Sequence, residues 1–168
     1  WDELCIFSGS KIRIMEQFSI RKATVADLKT LKKFEQEIIR AERPFDETLD
    51  KDPISYYDLR ELILSEDALV VVAEADGKII ASGYGLVKDA KPYLNHEKYT
   101  YLGFMYTVEA YRGKGVNKVI VDSLMDWSRT KGINEVRLTV YNNNEPAIKA
   151  YEKSGFQKHL IEMRVHLD

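Results

Sequence analysis

The sequence has few of the residues that build disulfides, metal sites or membrane spans. Cys5 is the only cysteine among 168 residues, so no disulfide can form within the chain, as is usual in a reducing cytoplasm. None of the three histidines stands with cysteine at the spacing of a metal site. No apolar run approaches the roughly 18 residues of a membrane-spanning helix. The sequence therefore predicts a cytoplasmic protein that holds no metal and no membrane segment, with Cys5 as a passive thiol.

An excess of positive charge is also missing. Twenty-five lysines and arginines stand against 27 aspartates and glutamates, a net charge of −2, which argues against nucleic acid as a partner. Hydrophobic residues make up 45% of the chain and charged residues 31%, the balance typical of a globular protein. The length corresponds to about one domain. Met15 is a plausible native start of translation. We therefore interpret residues 1–15 as an N-terminal extension and residues 16–168 as the domain.

Hydrophobic periodicity alternates between that of strands and that of helices. Thr24 and Asp27 stand at the spacing of a capping box, and Asp76-Gly77 between two β-branched runs is typical of a hairpin turn. Gly83 and Gly85 inside a strand indicate a bulge or a close backbone approach. The predicted order is β-α-α-β-β-β-α-β-α-β, an α/β fold with a mixed sheet. The strands are expected at 18–21, 68–75, 78–87, 99–108, 135–141 and 155–167, and the helices at 24–40, 55–65, 115–131 and 146–154.

A glycine-rich stretch, YRGKGVN at 111–117, lies between a predicted strand and a predicted helix. Gly113 and Gly115 allow backbone N–H groups to approach an anion, and the helix start adds free N–H groups and the positive end of its dipole. The stretch is neither a P-loop nor a dinucleotide fingerprint, whose third glycine would stand at Lys118. It is typical of a pyrophosphate-binding loop, or of a glycine-rich turn that only begins a helix.

A second motif, NEPAIKAYEKSGF at 144–156, follows the next predicted strand. Together the two motifs resemble those of the GNAT superfamily of acetyl-CoA-dependent N-acetyltransferases. Residues 112–117 match the signature [QR]-x-x-G-x-[GA] except at Asn117, and residues 144–156 match N-x-x-A-x-x-x-Y-E-K-x-G-F. The resemblance covers roughly residues 16–167. It implies a GNAT-like, mostly antiparallel central sheet flanked by helices.

The resemblance also implies an activity: transfer of an acetyl group from acetyl-CoA to a primary amine of a small molecule or protein, without a metal. Tyr151 matches the family's tyrosine that protonates the leaving thiolate, and a phenol of pKa about 10 can do so as charge develops on sulfur. In the family the loop backbone binds the CoA pyrophosphate, and the end of the preceding strand, which splays from its neighbour, binds pantetheine. The corresponding cofactor-binding residues here are Met105, Tyr106, Thr107, Arg112, Gly113, Lys114, Gly115, Val116, Asn117 and Asn144.

Two departures from the family pattern bear on the chemistry, besides Glu109 and Ala110 in place of a frequent proline-acid pair. Asn117 replaces a small residue near the phosphates, and Thr139 stands where some relatives carry a glutamate base. The base is therefore expected elsewhere, with His96 as one candidate, or is water. The departures leave open a catalytically silent acyl-CoA-binding sensor or interaction module. A longer acyl chain is a further alternative, which the pocket depth under Gly83 and Gly85 would decide.

Acidic residues are frequent between positions 35 and 58, the region that commonly shapes the acceptor pocket in this family. Negative charge there would attract a cationic amine, although a solvated acidic surface is the simpler explanation for any single residue. We expect Glu42 or Asp46 to help bind the amine. A homodimer is a further expectation, because relatives often pair through edge strands or terminal segments.

Overall fold

A five-stranded sheet in the order β1-β2-β3-β4-β5 forms the centre of the computed structural model, which describes residues 18–167. The first three pairings are antiparallel and β4 with β5 is parallel, so the expected mixed, mostly antiparallel sheet is confirmed. Cys5, Met15 and the proposed extension lie outside the described residues. The strands are β1 (Ser19–Lys22), β2 (Ala68–Ala75), β3 (Lys78–Asp89), β4 (Lys98–Thr107) and β5 (Val136–Arg137).

Helices cover both faces of the sheet. They are α1 (Leu28–Glu42), α2 (Leu59–Leu64), α3 (Val116–Thr130) and α4 (Glu145–Lys153), with short 3-10 turns at Val25–Asp27, Arg43–Phe45 and Glu109–Tyr111. Successive side chains of a strand point to opposite faces. Val70 and Val72 of β2 accordingly belong to the core cluster under α1 and α2, whereas Val71 belongs to the cluster under α3. The sheet thus separates two hydrophobic layers.

The predicted capping box and the predicted hairpin turn are both confirmed. Asp27 closes its half of the capping box by accepting a hydrogen bond from the Thr24 backbone N–H at 2.7 Å. Arg21 donates to the same carboxylate at 2.8 and 2.9 Å, and this contact lowers the pKa of Asp27 to about 2. At the hairpin, Asp76 and Gly77 both have positive φ, 51° and 71°, as a two-residue type I′ turn requires.

The second helix begins four residues later than its pattern predicts, because a buried carboxylate holds the preceding segment in another conformation. Glu35 of α1 is 3% exposed, and its Oε1 accepts hydrogen bonds from the backbone N–H groups of Tyr56 and Tyr57, at 2.7 and 2.9 Å. The same oxygen accepts from Ser55 Oγ at 3.0 Å. Asp58 then caps α2 by accepting from Glu61 N–H. The prediction of helix at 55–58 was wrong.

Removing the Glu35 carboxylate should therefore destabilise the fold. We expect Glu35→Ala to lower the free energy of unfolding by about 3 kcal/mol, because it leaves buried backbone donors without an acceptor. Glu35→Gln keeps an amide oxygen at the same place and should cost less than about 1 kcal/mol. Urea denaturation of both variants tests this. An alanine variant as stable as the glutamine variant would contradict the assigned role.

The end of the chain forms less sheet than its pattern predicts. Of the strand expected at 135–141, only β5 pairs, and residues 155–167 form no strand in the described structure. Alternation shows that a segment suits a strand, but a strand also needs an edge to pair with. Here β5 offers only two paired residues, so the last element of the predicted order is corrected. The large apolar side chains of the segment 155–167 are exposed, at Leu160, Ile161, Met163, Val165 and Leu167.

Candidate functional site

A bulge interrupts β4 next to its C-terminal end. Ser82 of β3 lies opposite Tyr106 and Tyr84 lies opposite Gly103, so Gly83 faces two residues, Phe104 and Met105. Phe104 has a φ of 58°, a conformation that bulky residues rarely adopt and that concentrates at functional sites. A Cβ on Gly83 would lie 2.6 Å from Ile120 Cγ2 and 2.7 Å from Met105 Sδ. The close approach predicted at Gly83 is confirmed.

Strands β4 and β5 splay apart before the bulge. They pair only at Thr100 with Val136 and at Tyr101 with Arg137. Beyond Tyr101, β4 keeps β3 on one side, but on the other side no described strand pairs with it. Backbone N–H and C=O groups on that side are available to a ligand. The hydroxyls of Tyr101 and Thr139 lie 2.7 Å apart across the opening.

The loop between β4 and α3 has the backbone geometry of an anion cradle. Gly113 and Gly115 have φ values of 71° and 81°, and a Cβ built on either would have no atom within 4 Å, so the space above the loop is open. Gly115 is the N-cap of α3, whose first backbone bond runs from Val119 N–H to Gly115 O. The N–H groups of the first helical turn therefore have no partner within the helix, a feature shared with helix starts that bind anions.

Charged side chains flank this loop and fasten it to β4. Arg112 donates from Nε to the carbonyl of Thr107 at 3.0 Å, and its guanidinium lies 6.0 Å from the ring of Tyr106. Lys114 Nζ lies 5.1 Å from the ring of Tyr111. Arg112 thus holds the end of β4 against the cradle, so that the splayed strand and the loop form one continuous surface.

The second motif forms helix α4 and the turn that follows it. Asn144 caps this helix, its Oδ1 accepting from Ala147 N–H at 3.3 Å. Tyr151, two turns later, is half-buried and packs edge-on to Phe156 with ring centroids 6.0 Å apart. Burial, and then the nearby charge of Glu42, raise the pKa of Tyr151 to about 12. Its phenol is therefore protonated at neutral pH.

The two acids expected to bind an amine are in different states. The Asp46 carboxylate accepts from Thr48 N–H and Oγ1, from Arg164 and from Tyr141, at 2.6–3.3 Å. These contacts hold the pKa of Asp46 well below its usual range. The half-buried Glu42 forms no ion pair within residues 18–167; burial raises its pKa, and an interaction with the Tyr56 hydroxyl opposes part of that rise. The Asp46 carboxylate is thus held by several partners, whereas the Glu42 carboxylate has no charged partner among the described residues.

Sequence reasoning missed an aromatic wall beside Glu42. Tyr57 packs edge-on to Tyr84 and to Phe104, with centroids 5.5 and 5.4 Å apart, and Phe45 stacks on Tyr141 at 5.9 Å. These rings come from separate elements, and the pair of tyrosines at 56–57 was the only local signal. His96 lies elsewhere, 2.8 Å from Arg137 at the far end of β4, so the structure does not bring this candidate base to the opening.

The described residues contain no group of three or more His, Cys, Asp and Glu side chains able to hold a metal ion. No helix within 18–167 is sufficiently long and apolar to cross a membrane.

Comparison with known proteins agrees with this geometry. The chain is 27% identical over 104 residues to the probable N-acetyltransferase camello of Xenopus tropicalis, covering 62% of this chain but only 45% of that protein. A crystal structure of a mutant of the BH1408 protein from Bacillus halodurans superposes with a TM-score of 0.78 at 19% identity, over 89% of this chain and 99% of that one.

A predicted acetyltransferase of Clostridium acetobutylicum, whose crystal structure contains acetyl-CoA, shares the fold with a TM-score of 0.66 at 19% identity. The match covers 89% of this chain and 96% of the Clostridium chain. The model of the acetyltransferase (GNAT) family matches residues 32–156. The match includes both sequence motifs and every strand from β2 to β5. The chain belongs to the GNAT acetyltransferase family.

Proposed function

We propose that the chain transfers an acetyl group from acetyl-CoA to a primary amine of a small molecule or a protein. The observation that carries the proposal is the continuity between the glycine cradle at 113–115 and the splayed, bulged end of β4. Open space above both glycines and free helix N–H groups fit a pyrophosphate. In this proposal Val116 and Asn117 contribute backbone N–H groups, and Met105, Tyr106 and Thr107 contribute the strand edge that binds pantetheine.

The same groups support direct transfer. Backbone N–H groups on the open side of β4 can stabilise negative charge that develops on the thioester oxygen when the amine attacks. The protonated phenol of Tyr151 supplies a proton to the departing sulfur. Asn144 already uses its side-chain oxygen as a helix cap, so in this proposal its amide N–H faces the cofactor.

The amine enters, in this proposal, on the side of the opening formed by Glu42 and the tyrosines. Of the two acids that the sequence offered, Glu42 is the one proposed to bind the amine, because the carboxylate of Asp46 already has its partners. Thr139 has no carboxylate, and its hydroxyl is hydrogen-bonded to that of Tyr101. Because no base stands at this position, the arrangement also suits a silent acyl-CoA sensor. Thiol release with any primary amine distinguishes the two, since a sensor binds acetyl-CoA without turnover.

We also propose that two copies associate through the C-terminal segment. Ile161, Met163, Val165 and Leu167 alternate along it and are at least 79% exposed. Replacing Ile161 and Val165 with lysine should convert a dimer into a monomer in light scattering. A wild-type chain that is monomeric at about tens of micromolar would rule this out, because a segment exposing so much apolar surface should associate at about that concentration.

Calorimetric titration with acetyl-CoA tests the function directly. Binding in the range of about 1–100 μM is expected for a co-substrate site of this kind. No heat of binding to a folded sample, confirmed by circular dichroism, would mean that the loop at 112–117 is only a turn. The acetyltransferase proposal would then fail.

A further inference from the structure

We infer that Ser82 is a positioning residue for the transfer: its hydroxyl fixes the peptide group between Phe104 and Met105, so that the Met105 N–H faces the opening where the thioester is proposed to bind. The inference rests on the proposed function and concerns a residue of β3, outside both sequence motifs. It starts from a buried polar side chain. Ser82 is 1% exposed, and its Oγ donates a hydrogen bond to the carbonyl of Phe104 at 3.1 Å.

The bulge in β4 explains why this carbonyl takes a side chain as its partner. Gly83 lies opposite two residues, Phe104 and Met105, and the extra residue of a bulge is left outside the ladder of backbone hydrogen bonds. Phe104 is 1% exposed, and a buried carbonyl without a partner is costly. The Ser82 hydroxyl supplies the partner and so stabilises the φ of 58° that a bulky residue rarely adopts.

The hydrogen bond from Ser82 also decides where the next N–H group points. In a trans peptide such as this one, the carbonyl of one residue and the N–H of the next lie on opposite sides of the chain. Because the Phe104 carbonyl faces Ser82 on β3, the Met105 N–H faces away from β3. On that side no described strand pairs with β4 beyond Tyr101. The Met105 N–H is therefore directed to the opening between β4 and β5.

The register of the residues that follow agrees with this direction. Val108 donates from its backbone N–H to the carbonyl of Ile80 at 2.8 Å, so its N–H points to β3. Neighbouring residues of an antiparallel strand point their N–H groups alternately to one side and to the other. The N–H of Tyr106 therefore points to β3, and those of Met105 and Thr107 point away from it. The hydrogen bond and the register thus give the same direction.

Packing holds the side chains of the bulge but does not fix this peptide group. The ring of Phe104 lies 5.4 Å from that of Tyr57, and a Cβ on Gly83 would lie 2.7 Å from Met105 Sδ, so both side chains are closely surrounded. A planar peptide group can still rotate about the axis between its two Cα atoms with little movement of the side chains. Such a rotation would turn the N–H away from the opening, and the hydrogen bond from Ser82 opposes it.

The proposed transfer needs this N–H at the moment when charge develops. The lone pair of a neutral amine forms the C–N bond to the thioester carbonyl carbon, and the carbonyl oxygen becomes negative until the C–S bond breaks. Sulfur takes the proton of Tyr151, and the proton that nitrogen loses restores the phenol, which leaves the N-acetylated amine and the CoA thiol. A donor already directed at the oxygen stabilises its charge without reorganisation. Its loss should therefore lower kcat more than it weakens binding.

Ser82→Ala tests the inference, and Ser128→Ala is the matched control. Ser128 is 0% exposed, and its Oγ also donates to a backbone carbonyl, that of Ile133 at 2.8 Å. With 2-phenylethylamine or a lysine-containing peptide as acceptor, Ser82→Ala should lower kcat at least about tenfold and leave KM and the Kd for acetyl-CoA within about twofold. Ser128→Ala should lose similar stability in thermal unfolding and keep kcat within about twofold.

Two further measurements separate positioning from folding. Ser82→Thr keeps a hydroxyl at this position and should restore most of the kcat that alanine loses. Infrared difference spectroscopy of bound acetyl-CoA, with and without a carbon-13 label in the acetyl carbonyl, needs neither turnover nor an acceptor. A hydrogen bond to the carbonyl oxygen lowers its stretching frequency. The band should lie below that of free acetyl-CoA in wild type and in Ser128→Ala, and should move back toward the free value in Ser82→Ala.

Three outcomes would overturn the inference. Wild-type kcat and a wild-type carbonyl band in Ser82→Ala would leave the hydroxyl without a part in positioning. Equal losses of kcat in Ser82→Ala and Ser128→Ala would reduce its effect to stability, as would loss of acetyl-CoA binding by Ser82→Ala. Failure of the proposed transfer looks different. A wild-type chain that shows the Ser82-dependent band but releases no thiol with any amine would keep the positioning of the thioester and lose the transfer.

Discussion

Replacing Tyr151 with phenylalanine should lower kcat on the order of 1000-fold and leave the affinity for acetyl-CoA within about twofold of wild type. The ring of phenylalanine preserves the edge-on contact with Phe156 and the packing of α4, so only the hydroxyl is lost. Without that proton the sulfur must leave as a free thiolate. Steady-state kinetics with calorimetry of acetyl-CoA binding separates the two effects.

Tyr93→Phe is the matched control, because Tyr93 is 81% exposed and its loss of a hydroxyl should alter neither kcat nor affinity. The raised pKa of Tyr151 gives a second check. A phenol whose pKa is about 12 stays protonated through the usable range, so the wild-type rate should show no fall from loss of this proton below about pH 10. Equal kcat in wild type and Tyr151→Phe would remove this residue from the reaction.

Gly115→Val should abolish acetyl-CoA binding, weakening it at least about 100-fold. Valine at this position places a branched side chain in the open space where the phosphates would approach the helix N–H groups. It also opposes a φ of 81°, which a β-branched residue strongly disfavours. Calorimetric titration of the purified variant measures the loss.

The chain contains a matched control at the other end of the same helix. Gly132 has a φ of 73° and no atom within 4 Å of a built Cβ, so Gly132→Val imposes a similar backbone strain on α3. It lies away from the cradle and should lose stability without losing cofactor affinity. Normal acetyl-CoA binding by Gly115→Val, or an equal loss in both variants, would contradict the cradle at 113–115.

The parts of the site that the sequence predicted are those built from contiguous backbone. The loop at 111–117 needs two positive φ values and a helix start. Both are indicated by residues that stand close together in the sequence. The bulge at Gly83 was visible in the same way, since a glycine inside a strand is typical of a bulge or of another group packed close to the backbone. Tyr151 became a candidate through its place in a thirteen-residue motif at 144–156.

The parts that the sequence did not predict depend on contacts between distant residues. Tyr56 and Tyr57 leave the helical pattern because Glu35, about twenty residues earlier, accepts their backbone N–H groups. Glu42 and Asp46 look alike in the sequence, and only the contacts of Asp46 with Thr48 and Arg164 distinguish them. Likewise the alternation at 155–167 predicts a strand, but pairing depends on an edge that β5 does not extend.

The hydrogen bonds from Tyr56 and Tyr57 to Glu35 have a consequence for how the acceptor range of this protein could diverge. Because an interior carboxylate fixes the backbone course of 55–57, the aromatic wall is pre-organised, and in the proposed transfer it would lose little entropy on binding an amine. New acceptor preferences would therefore arise by exchanging side chains at 56 and 57 on an inherited backbone. Insertions or loop rearrangements there would remove the hydrogen bonds to Glu35 and destabilise the fold before they could broaden the range of acceptors.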